Sequence, residues 1–285
     1  MTPPPNGRVA APPLPRVGHI GFLNSLPFLI GLESRSAPPP FELVTAPPTT
    51  LNRRLLEGSL DVSPISSIEY AQHADSLVLL ADLCIASNGP VASVLLVSRV
   101  HPSELHGRVV ELDPSSATSR VLVKLVLWDR YRVEPRFEVR DHSGLEGVRG
   151  DAALVIGDPA LRARLDPDGW HIEDLGEAWK SVTGRSMVYA VWAARRAFAE
   201  QHPDALESVH LALVEARDLG LANPAALAER GVALSGHPLR FLRAYYRLLG
   251  YDLGAAEREG LREFYRRAEA HHLLPASPEL AFAGG

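Results

Sequence analysis

Short apolar runs alternate with stretches of helical periodicity through the first two-thirds of the chain. Val17–Phe22, Phe41–Thr45, Asp61–Ile65, Leu77–Leu83, Val91–Ser98, Arg108–Leu112, Arg136–Val139, Ala152–Ile156 and Met187–Ala193 have the length and apolar content of buried strands. Thr49–Glu57, Ser67–His73, Thr118–Tyr131 and Pro159–Leu165 predict helices between them. This alternation predicts an α/β fold with mainly parallel sheets. The last third changes period. Leu206, Val209, Leu213 and Ala216 share one face of a helix over Pro203–Leu219. Asn223-Pro224 caps a second helix that Gly231 is expected to end, and Pro238–Leu249 and Ala255–His272 supply two more.

Val91–Ser98 and Met187–Ala193 are long and apolar, and roughly a hundred residues of α/β pattern lie between them, a reasonable domain size. If both strands cross between domains, residues 16–98 plus 193–285 form one discontinuous lobe with a helical C-terminus, and residues 99–192 form a second lobe inserted into it. Two-lobed proteins of this kind hinge around a ligand held in the cleft. Residues 1–15, rich in Pro and Ala, read as a disordered tail.

Composition narrows the function classes. The formal net charge is −5 with no basic block, which disfavours a nucleic-acid surface. The single cysteine, Cys84, excludes an intramolecular disulfide and a multi-cysteine zinc site, and its apolar surroundings predict a buried, inert thiol. No run is long and apolar enough to span a membrane, and the first sixteen residues lack the apolar core of a signal peptide. A cytoplasmic protein acting on a small molecule is expected, with no nucleic-acid or membrane partner.

The chemistry sits where strands end. Asp113-Pro114-Ser115-Ser116-Ala117-Thr118-Ser119 follows an apolar strand and opens a long helix. Free backbone N–H groups, hydroxyls and a helix dipole at such a junction favour an anion, a carboxylate or a phosphate; an N-cap with extra serines is the plainer alternative. Three more junctions resemble it: Leu23-Asn24-Ser25-Leu26-Pro27, Pro64-Ile65-Ser66-Ser67-Ile68-Glu69-Tyr70 and Ala86-Ser87-Asn88-Gly89-Pro90. Ligands of α/β folds lie beyond the carboxyl ends of strands, so these junctions can converge on one polar, uncharged pocket, although Ser and Asn are also ordinary turn residues. Asp158, after the strand Ala152–Ile156, is either an acid or base or the cap of the next helix. There is no Walker loop, dinucleotide fingerprint, nucleophile elbow or H-E-x-x-H, and the histidines lack metal spacing. No metal site is expected, and Trp179 and Trp192 read as packing residues.

Taken together, the motifs resemble those of one family. Ile20–Pro27 is similar to its opening strand and L-N-x-x-P turn, and Gly58–Tyr70 to its G-x-L-D-x-x-x-x-x-S-x-E-Y block. Ile85–Val94 matches I-A-S-x-G-P-V-x-S-V, the serine turn matches L-D-x-x-S-x-T-S, and Asp174–Trp179 with Thr183-Gly184 matches D-L-G-x-x-W and T-G. The family is MqnA, the chorismate dehydratases of the futalosine route to menaquinone.

The resemblance implies a two-lobed fold like the type II periplasmic binding proteins, each lobe a mainly parallel sheet flanked by helices. It also implies dehydration of chorismate to 3-[(1-carboxyvinyl)oxy]benzoate without a cofactor. On motif position, Asn24 aligns or stabilises the reacting centre. Ser115, Ser116, Thr118 and Ser119 hold one carboxylate, and Ser66, Ser67, Ser87 and Asn88 line the opposite wall. The ring proton goes to one of the substrate's own carboxylates or to Asp158. Two departures stand out: Arg185-Ser186 replace the family's apolar residue and proline after Thr183-Gly184, and Gly157 stands where the sibling 1,4-dihydroxy-6-naphthoate synthases carry a histidine. The rival functions are that synthase activity and a non-catalytic cytoplasmic protein that binds a small carboxylate.

Overall fold

The computed structural model describes residues 13–142 and 144–284. The first third forms β1 (Arg16–Ile20), α1 (Leu26–Ser34), β2 (Glu42–Ala46), α2 (Pro48–Leu56), β3 (Val62–Ser66), α3 (Ser67–Gln72) and β4 (Leu77–Ser87). The middle forms β5 (Val94–Ser98), β6 (Val109–Leu112), α4 (Ala117–Tyr131), β7 (Arg136–Val139), β8 (Ala152–Ile156), α5 (Asp158–Leu165), β9 (His171–Asp174) and α6 (Leu175–Thr183). The remainder forms β10 (Met187–Arg195), α7 (Arg196–Gln201), α8 (Pro203–Leu221), α9 (Pro224–Ser235), α10 (Leu239–Tyr246), β11 (Leu249–Gly250) and α11 (Ala255–Ala270). Of the tail expected over residues 1–15, residues 1–12 lie outside the described residues.

Two sheets result, in the orders β11-β4-β10-β3-β1-β2 and β7-β6-β8-β5-β9, one per lobe. Their central strands β3, β5 and β8 are buried along their whole length, whereas the edge strands β2 and β7 carry exposed polar positions. The expectation of mainly parallel sheets needs correction, because both are mixed. β2-β1-β3 and β7-β6-β8 are parallel, but β10 runs antiparallel to β3 and β4, and β5 antiparallel to β8 and β9. The reason is where the chain enters each sheet. It crosses between lobes at the cleft, where the parallel strands end, and a strand that starts there without a crossover helix can only run back against them.

Sheet membership also shows where the chain changes lobes. β5 belongs to the second sheet and β10 to the first, so the change falls in residues 88–93 and 184–186 rather than at 98/99 and 192/193.

Several elements escaped the periodicity. α1 is apolar on most sides and lies against α8, so it has no polar face to mark it. β9, α6, α7 and β11 are short. α9 runs through Gly231, which packs on Leu242 and Tyr246, and stops at Gly236 in the left-handed region. α10 stops at Tyr246 because Leu249-Gly250 pairs with the end of β4.

One core joins the lobes. Leu122 and Val126 of α4 and Trp179 of α6 share a buried cluster with Ile65 of β3 and with Phe264 and Tyr265 of α11. Trp179 stands edge-on to Phe264 at 5.8 Å. On the other side, the α9–α10 hairpin packs Tyr245 and Leu242 against Leu23 and Leu26 of the first lobe, Ala92 of the crossing and Leu161 of α5.

Candidate functional site

The carboxyl ends of β1, β3 and β8 face a cleft between the lobes, with an inner compartment and an adjoining outer one. Phe22, Ile156 and Gly157 border both. Three helix starts meet at the inner compartment: Ser66 precedes α3, Ser116 caps α4 and Gly157 precedes α5. No Arg, Lys or His lines it among the described residues. Positive potential there comes from helix termini, which hold an anion through oriented N–H groups.

The hydroxyls are arranged to donate. In the first turn of α4, Ser116 Oγ accepts the Ser119 N–H at 3.3 Å and donates to Ser119 Oγ at 2.9 Å, so the Ser119 proton remains free to donate. Arg120 N–H to Ser116 O is the first backbone bond of that helix, which leaves the Ala117 and Thr118 N–H groups without an acceptor among the described residues. Across the cleft, Asn52 of α2 clasps Ser66: its Nδ2 donates to Ser66 Oγ and its Oδ1 accepts the Ser66 N–H, both at 3.4 Å. The Ser66 hydroxyl proton is thereby left for a ligand. Asn24, in the single helical turn Leu23–Ser25, lines the compartment half-buried, and the one hydrogen bond to its side chain among the described residues is donated by Ser25 Oγ to Asn24 Oδ1 at 3.5 Å.

Asn24, Ser66, Ser116 and Ser119 therefore share one compartment. The other residues singled out by sequence stand elsewhere. Ser115 lines the outer compartment and gives its N–H and hydroxyl to Asp113. Thr118 is fully buried and accepts the Ile68 N–H at 3.2 Å, a bond between lobes. Ser67 is fully buried and donates to Val188 O at 2.8 Å. Ser87 supports the wall from behind, donating to Gly89 O at 2.9 Å with Tyr189 Oη at 3.1 Å. Asn88 is exposed and outside the compartment. Asp158 is the first residue of α5, makes no capping bond and lines the outer compartment.

The motif blocks in the middle of the chain build the crossings. Buried Asp174 accepts N–H groups from Val91 at 3.0 Å, Ala92 at 2.8 Å, Gly176 at 3.0 Å and Glu177 at 3.2 Å, with Arg164 Nη1 at 3.2 Å. It thus caps α6 and fixes the first crossing at once. Gly176 is required by close approach, since a Cβ there would stand 2.5 Å from Gly89 O and 2.7 Å from Tyr189 Oη. Ser186, in the departure Arg185-Ser186, accepts Trp179 Nε1–H at 3.2 Å through its carbonyl and donates to Glu257 Oε1 at 3.3 Å. The second crossing is thereby pinned between α6 and α11.

Sequence reasoning missed Tyr189, Ser93 and His19. Tyr189 lines the inner compartment; burial, with Asp174 nearby, pushes its phenol well up, so it remains a neutral hydrogen-bonding group. A lone polar tip in the apolar run of β10 was the available signal. Ser93 accepts the Tyr245 hydroxyl at 3.1 Å and lines the same compartment. His19 lines the outer compartment, and burial lowers its imidazole to about 4, so it is neutral at pH 7. Cys84 is buried, and burial first, then Glu257 and Asp252, pushes its thiol well up.

Known proteins share this chain's sequence and fold. A family described as menaquinone biosynthesis matches residues 15–270. The chain belongs to the menaquinone-biosynthesis family. It is similar to a chorismate dehydratase of Thermus thermophilus, 37% identical over 242 residues that cover 79% of this chain and 85% of that one. A 1,4-dihydroxy-6-naphtoate synthase of the same organism is 28% identical over 255 residues, covering 86% and 90%. The fold of this family member matches the alkanesulfonate-binding protein of Xanthomonas axonopodis, solved with MOPS bound, at a TM-score of 0.69 and 16% identity, covering 96% and 97% of the two chains. The two-lobed α/β architecture is thus that of a periplasmic binding protein. None of the described helices is long and apolar enough to cross a membrane.

Proposed function

We infer that this menaquinone-biosynthesis protein is a chorismate dehydratase, a hydro-lyase that converts chorismate to 3-[(1-carboxyvinyl)oxy]benzoate and water in the cytoplasm. The observation that carries this reading is the inner compartment, where three helix starts, the Ser66 and Ser119 hydroxyls and the Asn24 amide meet without a cationic side chain. Chorismate carries two carboxylates, and donors of this kind bind carboxylates while leaving the ring in apolar surroundings.

The reaction removes a ring proton and the hydroxyl on the neighbouring carbon. The C–H electron pair enters the ring, the C–O bond breaks, and hydroxide departs with a proton as water. Aromatisation supplies the driving force, so the site has to orient the ring, exclude bulk water and stabilise charge as it develops. Ser116, Ser119 and the Ala117 and Thr118 N–H groups hold one carboxylate. Ser66 faces it from the other lobe. The Asn24 amide donates to the departing hydroxyl; an amide is too weak a base to take the proton. One of the substrate's own carboxylates takes the ring proton, and Asp158, in the outer compartment, is the rival base.

Incubating the pure protein with chorismate and following the ring's aromatic absorbance tests the reading. Turnover is expected, and Asn24→Ala is expected to reduce kcat about a hundredfold, the scale of a lost transition-state donor. Near-normal turnover by that variant would remove Asn24 from the mechanism. Tight binding of chorismate without turnover would indicate a binding protein, and turnover of the cyclic futalosine intermediate instead would indicate the sibling synthase. Full activity is expected in Asp158→Asn; a loss of kcat of about a hundredfold or more would give the proton to Asp158 instead.

A further inference from the structure

Asn52 stands behind the wall of the inner compartment and holds one of its donors. It lies on the face of α2 that carries Leu51 and Leu55 into the core, and it is 5% exposed. Asparagine is a poor residue for a helix interior and is seldom buried, because its amide has to find partners there. Both of its partners belong to Ser66: Oδ1 accepts the Ser66 N–H and Nδ2 donates to Ser66 Oγ. Ser66 lines the inner compartment and Asn52 does not.

Each bond is 3.4 Å long, and its direction follows from what its atoms can do. A backbone N–H only donates, so the amide oxygen has to face it and the amide nitrogen has to face the hydroxyl. That nitrogen only donates, so Ser66 Oγ accepts there and its one proton points away from Asn52. Ser66 precedes α3 without capping it, so no acceptor among the described residues claims the proton. A free serine hydroxyl rotates to offer a proton or a lone pair as its neighbour requires. Ser66 is denied that choice. In the second lobe, Ser116 does the same for Ser119 by donating to its hydroxyl.

We propose that Asn52 is a positioning residue that sets the polarity of the inner compartment: by locking Ser66 as a donor, it makes the site select a carboxylate over a hydroxyl at that point. The proposal rests on the reading of Ser66 as a group that faces the substrate's carboxylate.

Asn52→Asp keeps the size of the side chain and the acceptor for the Ser66 N–H. Ionised, the new carboxylate only accepts, so it draws the Ser66 proton to itself and turns a lone pair toward the ligand. Protonated, it donates and restores the native pattern. At about pH 8, KM for chorismate should rise about tenfold or more, the scale of one lost charge-assisted hydrogen bond, with kcat within about threefold. Burial raises a carboxyl above its ordinary range, so the ratio of variant to wild-type KM should fall as pH is lowered to about 5. A new negative charge would also repel an anion, and Ser66→Ala separates the two effects. In that background Asn52→Asp should raise KM less than about threefold. An undiminished rise there overturns the proposal, and so does a folded Asn52→Asp protein with wild-type KM.

Asn52→Leu adds no charge and frees the Ser66 hydroxyl to rotate. Ligand-observed NMR with benzoate and benzyl alcohol then reads the selection without activity. The wild type should prefer benzoate, and the ratio of the two affinities should fall about fivefold or more in Asn52→Leu. A wild type without that preference, or a ratio unchanged by the substitution, overturns the proposal. A wild type that leaves chorismate intact while its preference for benzoate depends on Asn52 would refute the dehydratase reading and keep the proposal.

Discussion

Thr118 Oγ1 accepts the backbone N–H of Ile68 at 3.2 Å, joining the first turns of α4 and α3 across the cleft. Each helix start thereby lends one of its groups to the other lobe, and the bond is sealed from solvent. Thr118→Val keeps the shape and removes the acceptor, leaving a buried N–H unpaired. Chemical denaturation should show a loss of about 1–3 kcal/mol, and exchange of the Ile68 amide should accelerate. Unchanged stability would mean that water replaces the hydroxyl.

Ser116 caps α4 and lines the inner compartment. Aspartate caps helices as well as serine does, so Ser116→Asp should leave thermal stability close to wild type. The added carboxylate would occupy the N–H groups that hold the substrate's anion. KM for chorismate should rise about tenfold or more, the scale of one lost charge-assisted hydrogen bond. An unaltered KM would place the substrate carboxylate elsewhere.

Gly176 has no room for a Cβ between Gly89 O, Tyr189 Oη and Ser87 Oγ. Gly176→Ala should cost about 1–3 kcal/mol by overpacking. It should also lower kcat/KM, because Tyr189 would move in the wall of the compartment. Loss of stability with intact kcat/KM would show that the crossing and the site are independent.

His19 links stability to pH. Burial lowers its folded-state value from 6.5 to about 4, so between these values the unfolded chain binds the proton and the folded chain does not. Stability from this group is complete above pH 6.5 and is lost as pH falls toward 4, a change of about 3 kcal/mol. Denaturation of the wild type and of His19→Asn from pH 4 to 7 should show the variant losing less stability by about that amount. Parallel profiles would contradict it.

Apart from the short β9 and β11, the strands of both sheets were legible from period alone, as were most helices, because buried strands are apolar throughout and the C-terminal helices carry one apolar face. Asn24, Ser66, Ser116 and Ser119 were legible as polar residues at strand ends. Their neighbours Ser67, Thr118 and Ser87 read identically in sequence. Ser67 and Thr118, in the first turns of α3 and α4, and Ser87, at the end of β4, turn instead into the protein, where they tie Val188, Ile68 and Gly89. Tyr189 was hidden for the opposite reason, as one polar tip inside an apolar strand.

By itself, the sequence determined the α/β class, the polar and uncharged character of the strand ends, and through its ordered motifs the family. Those follow from local propensity and from residue type, which pattern records directly. Tertiary structure alone decided which strand ends meet, that β5 and β10 run against their neighbours, and that Asp174 governs a crossing rather than the pocket. It also placed His237 opposite Asp158, 79 residues away in the chain. Such relationships arise from long-range packing of whole elements, and no spacing along the chain encodes them.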